Sequence, residues 1–233
     1  IGVLKMFKQK TKSAFTLAEV LITLAIIGVV AAMTLPALIN KTNNAENVVA
    51  LKKSYEVLNQ AYYKISAENG SIQNALSGIS SDADSEGFAN VFIPKLHVAK
   101  NCGVASAKDT GCFPDVTYKK LDGSNSANYT LNSTILTSDG MGYSFTLNNA
   151  SCSRDFSYPS DPTSPLYKEC GIVIVDINGP NKGPAQWGRD LFGFIVTQKG
   201  IYPRGAYPDQ FGDCSTNGYN CSAKVLLESA INY

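Results

Sequence analysis

From Phe15 to Ile39 the chain reads FTLAEVLITLAIIGVVAAMTLPALI, apolar around the whole circumference of a helix and carrying one carboxylate, Glu19, one turn inside its start. No charged residue falls between Val20 and Asn40. At about 1.5 Å of rise per residue, such a stretch crosses a hydrocarbon core of about 30 Å. Beyond Pro36 the pattern changes but does not stop. Val48, Leu51, Tyr55, Leu58, Tyr62 and Ile65 recur at alternating spacings of three and four, which predicts a helix with a single apolar stripe continuing to about Glu68. Asn69-Gly70 then supplies a stop signal.

Residues 70–130 are rich in Ser, Asn, Asp and Gly, with a short apolar run at Val91 to Val98, and predict loops and a short helix. Strand signals follow. Ser133 to Thr137, a Ser138-Asp139-Gly140 turn and Tyr143 to Leu147 predict a hairpin. Cys170 to Ile177 and Leu191 to Thr197 read as two further strands, the first a continuous apolar run suited to a buried central strand. The predicted class is α+β: a long N-terminal helix whose stripe packs on a small antiparallel sheet of about four strands, with disulfide-stapled loops. Three segments result, a basic leader over 1–14, an apolar segment over 15–39, and a head over 40–233 that includes the amphipathic half of the helix.

Composition supports a packed head, since 44% of the 233 residues are hydrophobic. The formal charge of +1 hides an asymmetry. Lys5, Lys8, Lys10 and Lys12 precede Phe15, so the remainder holds 16 basic against 19 acidic residues. The basic leader predicts, by the positive-inside rule, a head outside the cytoplasm. A slightly acidic head in which Lys119-Lys120 is a minor basic feature offers no electrostatic case for nucleic acid. Ile1 in place of Met points to a non-standard start codon or a truncated reading frame.

All six cysteines, Cys102, Cys112, Cys152, Cys170, Cys214 and Cys221, lie downstream of the apolar segment, as disulfides in an oxidising compartment would. Six cysteines permit many pairings, and sequential pairing is the economical expectation. A cysteine metal site is the rival reading; no C-x-x-C is present and His97 is the sole histidine. The rival reading of the apolar segment is a secretory signal cleaved near Val30-Ala31-Ala32, opposed by the acid inside it and by the helical pattern running past that point.

Ala14-Phe15-Thr16-Leu17-Ala18-Glu19, the lysine leader before it, and the apolar helix with Gly28 and Pro36 after it resemble the class III signal and first helix of type IV pilins and type II secretion pseudopilins, over roughly residues 8–66. The resemblance implies cleavage between Ala14 and Phe15 by a membrane prepilin peptidase, which methylates the new Phe15 amine. The residue before the cut is usually glycine in that family and is Ala14 here. It further implies an inner-membrane subunit, with the head outside the cytoplasm, that an inner-membrane assembly platform draws into a helical filament with other pilin subunits. The expected role is structural and not enzymatic. The alternative is a minor tip pilin or secreted binding module that captures DNA or a surface ligand.

A carboxylate within a bilayer costs about 2.5 to 3.5 kcal/mol on insertion scales, so Glu19 calls for a partner. The freed Phe15 amine is the natural one, from its own helix or from a neighbouring subunit; Lys12 is the plainer choice. Gly28 and Pro36 predict a local bend as helices pack. A second stretch, Asp176 to Gly183 followed by Trp187 to Asp190, presents Asp176, Asn178 and Asp190 around a glycine turn. It resembles the head loop of many pseudopilins and minor pilins, some of which bind calcium there. A turn in which Asp176 and Asn178 satisfy backbone amides is the plainer alternative. His97 has no acid-base partner at a recognisable spacing, and no G-x-S-x-G or phosphate loop occurs.

Overall fold

The computed structural model describes residues 15–79, 84–104, 111–126, 132–212 and 214–233. The expected leader, with its lysines and Ala14, lies outside the described residues. The chain divides into two compact units, residues 1–43 and 44–233.

In the first unit, helix α1 (Leu17–Asn69) begins and passes through Pro36. Large apolar side chains here, among them Leu21, Leu24, Ile27, Val30 and Leu35, are exposed. Its threonines are made compatible with an apolar setting by their own helix. Thr23, Thr34 and Thr42 donate to the carbonyls of Val20, Val30 and Leu38 at 2.9, 3.0 and 3.0 Å, leaving no hydroxyl proton unmatched among them.

In the second unit the apolar stripe of α1 is buried as its spacing predicts. Leu51 and Leu58 are fully inaccessible, and Val48, Tyr62 and Ile65 nearly so. Tyr55 stacks on Phe194 with ring centres 5.6 Å apart and donates its hydroxyl to the Ile201 carbonyl at 3.3 Å. The Tyr62 hydroxyl donates to the Gln198 carbonyl at 2.8 Å. Lys53 meets Asp139 in the β-turn at 2.8 Å, so that turn also anchors the helix.

The sheet has six antiparallel strands, where the sequence led us to expect about four. They are β1 (Val98–Gly103), β2 (Ser133–Thr137), β3 (Gly142–Leu147), β4 (Glu169–Asp176), β5 (Leu191–Thr197) and β6 (Ile201–Pro203), paired in sequence order. The two unexpected strands are the edges. β1 is polar and largely exposed, and β6 is three residues ending in proline, so neither carries an apolar run. The region expected to hold one short helix holds α2 (Ile72–Leu76) and α3 (Ser85–Phe92). The Asp84 carboxylate caps α3 by accepting the Gly87 N–H at 2.7 Å. A last helix, α4 (Ser222–Glu228), buries Val225.

Both faces of the sheet are covered, which explains the uninterrupted apolar run of β4. Val173 and Val175 join the main core with the α1 stripe, Phe145 and Phe194. Ile172 and Ile174 belong to separate clusters with Phe156, Leu166, Ile195, Trp187 and Leu191. Strand alternation thus sends successive residues into different cores. At Gly171 an added Cβ would lie 2.4 Å from the Thr146 carbonyl oxygen, so only glycine fits between β3 and α3. The disulfides are Cys102–Cys112, Cys152–Cys170 and Cys214–Cys221, the sequential pairing expected.

Leu58→Ala should destabilise the detergent-solubilised chain by about 2 to 5 kcal/mol, because it opens a cavity beneath a helix–sheet contact. Val49→Ala, on the exposed side of the same helix, should change stability by less than about 0.5 kcal/mol. Denaturant unfolding followed by the fluorescence of buried Trp187 checks both.

Candidate functional site

The start of α1 is built by Thr16-Leu17-Ala18-Glu19, a T-x-x-E sequence. The Thr16 hydroxyl oxygen accepts the Glu19 N–H at 3.2 Å. In return Glu19 Oε2 accepts the Thr16 N–H at 2.8 Å and its hydroxyl at 2.9 Å. This reciprocal capping box satisfies two amides that a helix start otherwise leaves unmatched. Sequence reasoning assigned Glu19 to an amine and missed this arrangement, although the motif was visible. Phe15 lies directly before the box and is 86% exposed. Gly28 faces open space: a Cβ added there would meet nothing within 4 Å. Among the described residues nothing therefore requires glycine at that position.

The second candidate sits where β4 ends. Asp176 Oδ1 accepts the N–H groups of Asn178 at 3.2 Å and Gly179 at 2.9 Å. Gly179 has φ +76°, and an added Cβ would fall 2.0 Å from the Gly140 carbonyl oxygen, so the turn admits only glycine. Asp190 accepts the N–H groups of Ala185 at 2.6 Å and Gln186 at 2.5 Å. Asn178 Nδ2 donates to the Gly183 carbonyl at 3.0 Å and approaches Asp190 Oδ2 at 3.4 Å. The three predicted residues are thus brought together, and the expected Asx turn is present.

Two oxygens in the cluster, Asp176 Oδ2 and Asn178 Oδ1, are buried and have no hydrogen-bond partner. Burial raises the Asp176 carboxyl well above the usual carboxylate range, and neighbouring Asp190 adds to the rise. Burial also raises Asp190, against the hydrogen bonds from Gln186 and Ala185. Among the described residues no group of three or more His, Cys, Asp or Glu side chains could hold a metal ion, so Asn178 would have to serve as the third side-chain ligand. His97 is exposed, and Trp187 is fully buried core.

A third buried acid had no sequence signal. Glu169 opens β4 with no solvent exposure; Oε1 accepts the Asn148 amide at 2.7 Å, and Oε2 lies 3.9 Å from Arg154 Nε. Burial pushes its carboxyl up to about 7, which Asn148, Arg154 and Arg204 partly oppose.

Residues 9–35 match the family model for the prokaryotic N-terminal methylation motif. This is the prepilin-type signal of type IV pilins and pseudopilins, and the match takes in Ala14, Phe15, Glu19 and Gly28. The motif supports a type IV pilin-like or pseudopilin subunit, a structural role in multi-subunit filaments. With the apolar first half of α1, it indicates membrane anchoring. No curated protein and no solved structure matches the chain.

Proposed function

We propose that this chain is a filament subunit of the type IV pilus or type II secretion pseudopilus class. On this reading prepilin peptidase cuts between Ala14 and Phe15 and methylates Phe15. The subunit is held in the inner membrane with its head outside the cytoplasm until assembly. The observation that carries the reading is a methylation motif leading into an apolar helix surface whose large side chains are exposed among the described residues. Lipid covers such a surface before assembly, and the helices of neighbouring subunits cover it afterwards. Gly28, open on its outward side, lets a neighbouring backbone approach closely.

Glu19 sets the register. Its hydrogen bonds to Thr16 pre-orient the carboxylate at the helix start, and the methylated amine of a neighbouring subunit's first residue supplies the opposite charge. Glu19→Leu should leave membrane insertion intact and reduce incorporation into filaments by about tenfold or more. Membrane fractionation and sheared-filament yield measure the two separately. Normal filament yield from this variant would remove Glu19 from assembly.

We also propose that Asp176, Asn178 and Asp190 take a calcium ion. Two buried oxygens without partners and two carboxylates in one dry pocket are a poor arrangement alone and a good one around a divalent cation. Millimolar calcium should raise the melting temperature of the detergent-solubilised chain relative to the same chain in chelator. Asp176→Asn should abolish the calcium response while keeping or raising the stability measured in chelator. An equal calcium response in wild type and variant would place the ion elsewhere, and no response in the wild type would exclude it.

A further inference from the structure

Over Thr146 and Ile172, on the side of the sheet away from the α1 stripe, lies an open cavity of about 610 Å³. That is within the size range of small-molecule sites, about 300 to 1,000 Å³. Two of its lining groups carry unmatched polar atoms. Arg204 is only 5% exposed, and among the described residues its side chain makes no ion pair or hydrogen bond; its Nε is buried without a partner. Asn220 is 3% exposed; its amide nitrogen donates to the Gly212 carbonyl at 3.0 Å, while its Oδ1 is buried without a partner.

A buried guanidinium without a bonded anion is unfavourable, and Glu169 acts on Arg204 only through space, with no ion pair or hydrogen bond between them. The Asp209 carboxylate is occupied by the N–H groups of Gly205 at 2.8 Å and Phe211 at 2.9 Å. Arg204 instead lies 5.4 Å from the ring centre of Phe211. Arg154 lies 5.5 Å from the ring centre of Phe156, with Glu169 3.9 Å behind it. Phe156 and Phe211 meet edge to face at 5.5 Å and form an apolar wall beside the two cations.

We propose that this cavity binds a small acidic sugar, a ring presenting one carboxylate beside a hydroxyl. Arg204, assisted by Arg154, holds the carboxylate. Asn217 and Asn220, which line the same cavity, bind the neighbouring hydroxyl, and the ring's C–H face lies against Phe156 and Phe211. Each part of the lining selects one part of the ligand: the guanidinium needs an anion, the asparagine side chains need a hydroxyl, and the aromatic wall needs a flat apolar face. Glu169 is fully buried and does not line the cavity, and burial raises its carboxyl against the pull of Arg154 and Arg204. A single buried guanidinium in a slightly acidic head suits one small anion and not a polyanion. The inference concerns the head alone and stands apart from the filament reading.

Titration calorimetry on the detergent-solubilised full chain, with glucuronate, glucose and inorganic phosphate as probes, tests it. Saturable glucuronate binding is expected, with glucose and phosphate each about tenfold weaker or worse. Arg204→Met should weaken glucuronate binding by about tenfold or more. Phe211→Ala should also weaken it, and Phe211 is 59% exposed, so this change leaves the core intact should the arginine variant fail to fold. Absence of glucuronate binding, phosphate or glucose binding as tight as glucuronate, or unaltered binding in a folded variant would each overturn the proposal.

Discussion

One helix meets two different demands, and the structure depends on how its apolar surface is divided. Over its first part the apolar residues go all the way around α1, so no single packed face could cover them. Over its second part they narrow to a stripe, which packs into the main core with the sheet and the short helices. The first surface requires lipid or other helices; the second requires the rest of this chain. The head fold follows from that change in pattern, and so, on the proposed reading, do membrane storage and assembly.

The sheet answers the stripe but is not a simple half-buried layer. α1 and α3 cover one face, and loops carrying Phe156, Leu166 and Trp187 cover the other. With both faces dry, polar groups inside must be matched locally. Asp209 and Asp190 are matched by backbone amides, and Glu169 by Asn148 at Oε1 alone. Arg204, Asp176, Asn178 and Asn220 are among the residues that keep unmatched buried atoms, together with Glu169, Ser133, Thr134 and Gln210.

Elements with a strong pattern were legible in the sequence. The stripe from Val48 to Ile65, the β2–β3 hairpin and the apolar strands β4 and β5 all appear where hydrophobic periodicity places them. β1 and β6 were not legible because edge strands need only one partner and little burial, so Lys100 and Asn101 can occupy β1. The capping bond between Glu19 and Thr16 was legible as a T-x-x-E spacing but was passed over because attention went to the charge of Glu19. The cavity could not be read at all. Its key residues, Arg154, Arg204, Phe211 and Asn220, come from separate loops and share no spacing, and only the fold makes them neighbours.

Glu19 joins the local and the collective parts of the account. Its carboxylate begins the helix by capping Thr16, and its negative charge at the edge of an apolar segment is the feature that lipid alone cannot satisfy. On the proposed reading the positive partner is the amine exposed when the chain is cut before Phe15. Mass spectrometry of the N-terminal peptide from the membrane-extracted protein tests this most directly. The account predicts a peptide beginning at Phe15 and heavier by one methyl group; a mature chain beginning at Met33, or one retaining the lysine leader, would contradict it.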